Sequence, residues 1–180
     1  METYIALLRG VNVGQNLLKM ERLREICTGL GFKNVRTYVQ SGNLVFEAGR
    51  SANFRQSLEK KLIGESRLPV TVLLRTPEEL KSVIARNPFL KAEGIDVSRL
   101  HVTFLSEPAS EEGIKKLSAI KAGADRFRAV GTEIYLDCPN GYGTSKLSNS
   151  AIEKTLGQRA TTRNWNSVNK LYEVATASSG

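Results

Sequence analysis

A chain of 180 residues with 41% hydrophobic and 24% charged residues can bury a true core, roughly 70% of its unfolded surface at this size, while its apolar runs fall well short of the ~20 residues a membrane span needs. Two cysteines and one histidine give neither a disulfide framework nor the ligand spacing of a metal site. The net charge of +8 is spread over the chain, with 15 Lys and Arg against 10 Asp and Glu in residues 1–97 and 11 against 8 in 98–180, so it attracts anions in general and forms no basic tail. The first residues, Met1-Glu2-Thr3-Tyr4, lack the basic segment of a secretion signal, and a cytoplasmic location is expected.

In chain order, Tyr4 to Arg9 is a short apolar strand followed by the Gly- and Asn-containing loop Gly10 to Asn16. Met20, Leu23, Ile26, Cys27 and Leu30 recur at helical spacing, with Gly31 placed to cap the helix in a left-handed conformation. Val35, Thr37 and Val39 alternate with polar residues, Ser41-Gly42-Asn43 has turn chemistry, and Leu44 to Glu47 returns, which predicts a hairpin. Phe54, Leu58 and Leu62 mark a second helix, and Pro69 to Leu74 a fourth strand. Thr76-Pro77-Glu78-Glu79 carries a capping box, Thr as N-cap with Glu three residues later, at the start of an appended helix.

The second half repeats the order. His101 to Leu105 is a strand, and Ser110-Glu111-Glu112 opens a helix with Ile114, Leu117 and Ile120. Phe127 to Val130 turns through Gly131-Thr132 into Ile134 to Leu136, and Ile152 and Leu156 mark the next helix. Thr161-Thr162-Arg163-Asn164-Trp165 parallels Leu73-Leu74-Arg75-Thr76-Pro77, each leading into an appended helix. The reading is an α+β protein of two ferredoxin-like βαββαβ repeats, residues 1–97 and 98–180. Each is an antiparallel sheet of order 4-1-3-2 covered by helices, with one extra helix after it.

This topology brings particular loops together. The ends of the first and second strands share one sheet edge, so the loop after Arg9 lies beside the hairpin tip. Arg9, Gly10, Asn12, Gly14, Lys19, Tyr38, Gln40, Ser41 and Asn43 form a first cluster there. In the second repeat the ends of the third and fourth strands meet, gathering Tyr142, Ser145 and Lys146 beside Arg163, Asn164 and Trp165. Converging glycines, amides and cations suit a polar or anionic ligand, and Arg suits bidentate capture of carboxylate or phosphate. Every element of both clusters also has an architectural reading. Glycines serve turns, Ser145 or Ser148 serves as a helix cap, Asn164 caps the last helix, and Trp165 joins the core. The loop after Arg9 matches neither of the glycine-rich phosphate-binding spacings. His101 is a structural residue on this reading, and Cys27 and Cys138 are buried small hydrophobes.

The same segments resemble a known family almost end to end. Tyr4-Ile5-Ala6-Leu7-Leu8-Arg9-Gly10-Val11-Asn12-Val13-Gly14, Lys19-Met20, Thr37-Tyr38-Val39-Gln40-Ser41-Gly42-Asn43, Gly143-Thr144-Ser145-Lys146-Leu147 and Ala160-Thr161-Thr162-Arg163-Asn164-Trp165 are similar to the domain of unknown function 1697 family. The resemblance implies a small bacterial α/β protein without an assigned activity, and it carries no catalytic residue or cofactor. One departure is visible: similar proteins often have a Gly- and Lys-rich loop after the counterpart of Gly14, where this chain reads Gln15-Asn16-Leu17-Leu18.

The leading functional expectation is therefore binding of a small polar or anionic ligand at the loop clusters, with the question of enzymatic activity open and no membrane association. An RNA- or DNA-binding module is the alternative, since ferredoxin-like sheets can present aromatics to bases. Asn43-Leu44-Val45-Phe46-Glu47 lacks that basic and aromatic pattern. A protein-interaction scaffold is the third reading.

Overall fold

Both predicted repeats form, each with strand order 4-1-3-2, in a computed structural model that describes residues 1–11, 18–38 and 42–177. In the first, β1 (Glu2–Arg9) lies between β3 (Asn43–Ala48) and β4 (Thr71–Arg75), with β2 (Lys33–Tyr38) beyond β3, all antiparallel. Helices α1 (Met20–Gly29) and α2 (Phe54–Ser66) follow β1 and β3. In the second, β5 (Leu100–Leu105) lies between β7 (Glu133–Asp137) and β8 (Ala160–Asn164), with β6 (Arg126–Val130) outside β7. Helices α4 (Glu111–Ser118) and α5 (Asn149–Leu156) take the corresponding places. The appended helices are α3 (Pro77–Ala85) and α6 (Trp165–Thr176). No helix among the described residues is long and apolar enough to cross a membrane.

Side chains alternate across each strand, and the alternation divides the cores. Ala6, Leu8, Leu44, Phe46 and Val72 of the first sheet face α1 and α2, burying Leu23, Cys27, Leu58 and Leu62 against them. Phe32 and Phe46 stack at 4.4 Å, and Phe54 meets Phe46 edge-on at 6.0 Å. On the opposite face, Ile5, Leu7, Val45 and Leu73 are buried too, and Arg36, level with Val45 on β2, donates to the carbonyl of Val174 in α6. In the second sheet, Leu105, Ile134, Leu136 and Ala160 pack with Leu117 and Ile152. On its other face Val102, Phe104 and Tyr135 are buried, and the Tyr135 hydroxyl donates to the Val83 carbonyl at 2.6 Å.

By its internal contacts the chain divides into two compact units, Met1–Lys81 with Lys170–Gly180, and Ser82–Asn169. The element ends follow the sequence signals. Thr76 and Glu79 exchange the two hydrogen bonds of a capping box, 2.8 and 3.2 Å. Ser110 and Ser148 accept from the third residue beyond them at 3.0 and 3.2 Å, opening α4 and α5.

Candidate functional site

At the first cluster, the backbone N–H of Leu8 donates to the Gly42 carbonyl at 2.8 Å, which brings the end of β1 against the hairpin as the topology predicts. Gly10 and Gly42 are there for packing: both have positive φ, +85° and +78°. A Cβ on Gly10 would stand 2.3 Å from the Pro69 carbonyl oxygen, and one on Gly42 2.9 Å from the Cβ of Leu8. Asn43 is fully buried, and its amide donates to the Tyr38 carbonyl at 3.0 Å, closing the hairpin in which the two residues pair. Arg9 and Tyr38 are half-buried at strand ends, and Lys19 is exposed at the start of α1, where its carbonyl accepts from Leu23. Asn12, Gly14, Gln40 and Ser41 lie outside the described residues.

The second cluster is built differently. The connection from β7 to α5, residues 138–148, folds back so that the Tyr142 ring stacks on His101, centroids 4.6 Å apart and planes 21° off parallel. The Tyr142 hydroxyl accepts the backbone N–H of Asn149, the first residue of α5, at 2.7 Å. Having accepted there, the phenol still has its own proton to donate. The Asn149 side chain ties this end to the sheet: its amide donates to the Ala160 carbonyl at 3.0 Å, and its oxygen accepts from Thr162 at 2.9 Å. Thr162 thereby takes its second bond, 2.7 Å, from the fully buried Thr103. His101, Thr103 and Thr162 all sit on the helix-facing side of the sheet, where β5 and β8 pair His101 with Asn164 and Thr103 with Thr162.

Electrostatics here follow from burial. His101 loses solvent beneath Tyr142, which moves its pKa below the ordinary value, with the Arg99 carbonyl near Nδ1 at 3.4 Å opposing the shift. That carbonyl favours the proton on Nδ1 and leaves Nε2 as an acceptor. Arg99 places its guanidinium against Gly141, 3.4 Å from where a Cβ would stand, and Lys146 is exposed on the same loop. Ser145 accepts from the Leu147 N–H at 3.0 Å. It also bonds the Cys138 thiol, which burial pushes up to about 11; Cys27 is pushed up to about 12 by burial alone. Both cysteines are thus protonated and unreactive as nucleophiles at neutral pH. Among the described residues no cluster of side chains could hold a metal ion.

Three expected members of the cluster have architectural roles. Arg163 pairs with Val102 and so points to the opposite face from Asn164. Its guanidinium donates to Thr161 Oγ1 at 2.8 Å and the Thr162 carbonyl at 2.9 Å, and burial lowers its pKa to about 10. Asn164 accepts from the Ser167 N–H at 2.8 Å, capping α6, and Trp165 is buried as that helix's first residue. Tyr142, Ser145 and Lys146 do share the loop, joined by His101, which the sequence reading left as structural, and by Arg99 and Asn149, which it did not single out. The available signal was the alternation His101, Thr103, Leu105, which sets two polar residues on a core-facing side.

A family model described as "Protein of unknown function (DUF1697)" matches residues 1–135. Among solved structures, the conserved bacterial protein SP0830 from Streptococcus pneumoniae is similar in fold, with a TM-score of 0.74 at 22% identity, covering 98% of this chain and 99% of that one. No curated protein matches.

Proposed function

We propose, for a chain that belongs to the DUF1697 family of proteins of unknown function, that the second unit binds a small anionic or polar ligand at the loop carrying Tyr142 and Lys146. The observation that carries this reading is the stacked His101–Tyr142 pair. It presents an imidazole acceptor and a phenol donor near the Arg99 guanidinium, which also pairs with Asp96 at 4.0 Å, with Lys146 exposed on the same loop as Tyr142, a loop tied to sheet and helix by Asn149. A ligand with one anionic and one hydrogen-bonding group matches that set: cations take the anion, the phenol donates, and Nε2 accepts. Arg163 is no anchor on this reading, because its guanidinium serves its own strand. Base recognition on a sheet face is not favoured, because the central residues of both faces of both sheets are buried.

The test is calorimetric and NMR titration of the full chain with a panel of small carboxylates and phosphates. Tyr142→Phe and Lys146→Ala should each weaken the best ligand by about 1.5–3 kcal/mol, the scale of a charge-assisted hydrogen bond. Arg163→Ala should leave affinity unchanged. Equal affinity in all three variants and wild type would remove this site.

A further inference from the structure

We infer that the first unit carries a second, separate site, for a small flat aromatic molecule bearing a carboxylate or similar anion, in a cavity of about 380 Å³ below the connection from β3 to α2. The cavity lies at the opposite end of the first sheet from Arg9, and nothing in it belongs to the second-unit site. Its volume is in the range of small-molecule pockets, ~300–1,000 Å³. Its wall is aromatic: Phe32 and Phe54 line it with centroids 5.9 Å apart and planes at 84°. Phe32 is held from behind by the 4.4 Å stack on Phe46, and Phe54 by Tyr4 at 4.8 Å. Such a corner is preorganised to take a third ring against one face and one edge.

The rim is polar. Ser51, Asn53 and Ser57 line it, and Arg50 stands over it with its side chain 86% exposed. The only acid paired with Arg50 among the described residues is Glu2, at a long 3.5 Å; Glu2 also accepts the Tyr4 hydroxyl at 2.8 Å. A ligand anion would therefore compete with Glu2 for the guanidinium.

The two units give an internal reason for the pocket. The third strand and second helix are joined by residues 138–148 in the second unit but only by 49–53 in the first. The long connection supplies its own oxygen-bearing ring, Tyr142, stacked on His101 and bonded to the first turn of α5. The short one supplies no ring, and α2 begins without a side-chain cap. At this end of the second unit the connection itself sets a flat ring, Tyr142, over the sheet residue His101.

The experiment is an NMR titration of the full chain with 2-naphthoate, compared with 2-naphthamide, which lacks the charge, and acetate, which lacks the ring. Saturable shifts of the Gly31, Gly49, Ser51 and Asn53 amides are expected with 2-naphthoate, with binding roughly fivefold weaker for 2-naphthamide, which loses the exposed charge pair, and at least tenfold weaker for acetate, which loses the ring. Gly49→Leu should abolish them, since Gly49 lines the cavity and a Cβ there meets nothing within 4 Å, so a larger side chain is accommodated without a backbone clash. Arg50→Gln should weaken binding roughly fivefold, the scale of an exposed charge pair, while Glu2→Gln should tighten it by freeing Arg50. Should Gly49→Leu lower the melting temperature, Arg50→Glu, at an exposed position, tests the same site without disturbing the fold and should weaken binding further than Arg50→Gln. Unsaturated or scattered shifts, equal response to acetate or 2-naphthamide, or unchanged binding in Arg50→Glu would each overturn the proposal. Because the site lies in the first unit, Tyr142→Phe must leave it intact, which separates its failure from that of the second-unit reading.

Discussion

The two units are built on one backbone plan, and their difference is concentrated at one end. Pairing sets the equivalences: Ile5 lies between Val45 and Arg75, as Val102 lies between Tyr135 and Arg163. Arg75 and Arg163 even share a contact, each donating to the carbonyl of the preceding residue, at 2.8 and 2.9 Å. One step along, Tyr4 corresponds to His101, Ala6 to Thr103, Leu74 to Thr162 and Phe46 to Leu136. The first unit fills this helix-facing side with methyl groups and rings, and the second with hydroxyls, an amide and an imidazole. Buried polar groups cost free energy unless each finds a partner, and Thr103, Thr162 and Asn149 are fully engaged. A fold that closes equally well on an apolar filling does not need that network for its stability. The second unit's polar end is therefore the place where something besides folding is written into the sequence.

The largest expected effect tests the apolar half of this contrast. Phe46→Ala removes the centre of the ring cluster and should cost about 3–5 kcal/mol, against about 2–5 for Leu136→Ala at the equivalent place. Urea unfolding of both variants decides it, and a smaller loss at Phe46 would mean that the rings are not the keystone of the first core. The polar half is tested by Thr162→Val. It strands the Asn149 oxygen and the Thr103 hydroxyl, and should cost about 1–3 kcal/mol. Thr103→Val added to it should then cost less than it does alone, because the pair it breaks is already broken. Additive losses would show that the hydroxyls act separately.

How far the sequence reaches can be seen from single residues. The capping box of Thr76 and Glu79 and the cap at Asn164 are legible because each depends on residues within a few positions of one another, and the strand order because the repeated element order and right-handed crossovers leave few alternatives. The second cluster is legible only in part. Tyr142 and Lys146 stand out as loop residues, but His101 joins them from β5, distant in sequence, and Asn149 through its bonds to Ala160 and Thr162 of β8, which local spacing does not encode. Grouping Arg163 with Asn164 overlooks that adjacent strand residues point to opposite faces. Period-two alternation alone separates them. The aromatic cavity leaves no local trace, since it arises from one connection being shorter than its counterpart.

A smaller effect distinguishes the roles of the last-strand arginines. Arg163 is half-buried, and desolvation lowers its guanidinium pKa to about 10, with hydroxyl and carbonyl acceptors bonded to it. Desolvation offsets most of what such contacts contribute, so Arg163→Met, which keeps the volume, should change stability by no more than about 1 kcal/mol. Thermal melts of the variant check this, and a loss above about 3 kcal/mol would show the charge itself to be essential to the second unit.

The smallest expected effect is the pH response of the His101–Tyr142 stack, which has no counterpart in the first unit because Tyr4 stays neutral over the same range. Burial lowers the His101 pKa below 6.5, outweighing the Arg99 carbonyl that raises it. Between that lowered value and 6.5 the unfolded chain holds more protons than the folded one. Stability must then rise with pH through this window, be fully present above it, and fall as the solution is acidified. The carboxylates of the chain also respond to acid, so the informative quantity is the difference between two proteins. His101→Phe keeps a ring for Tyr142 to stack on and removes the titrating nitrogen. Chemical unfolding of wild type and variant at a series of pH values from 7.5 to 5 should show wild type losing stability faster below about pH 6.5, the unperturbed histidine value. Parallel curves would mean that His101 is as well solvated folded as unfolded, and that Tyr142 does not cover it in solution.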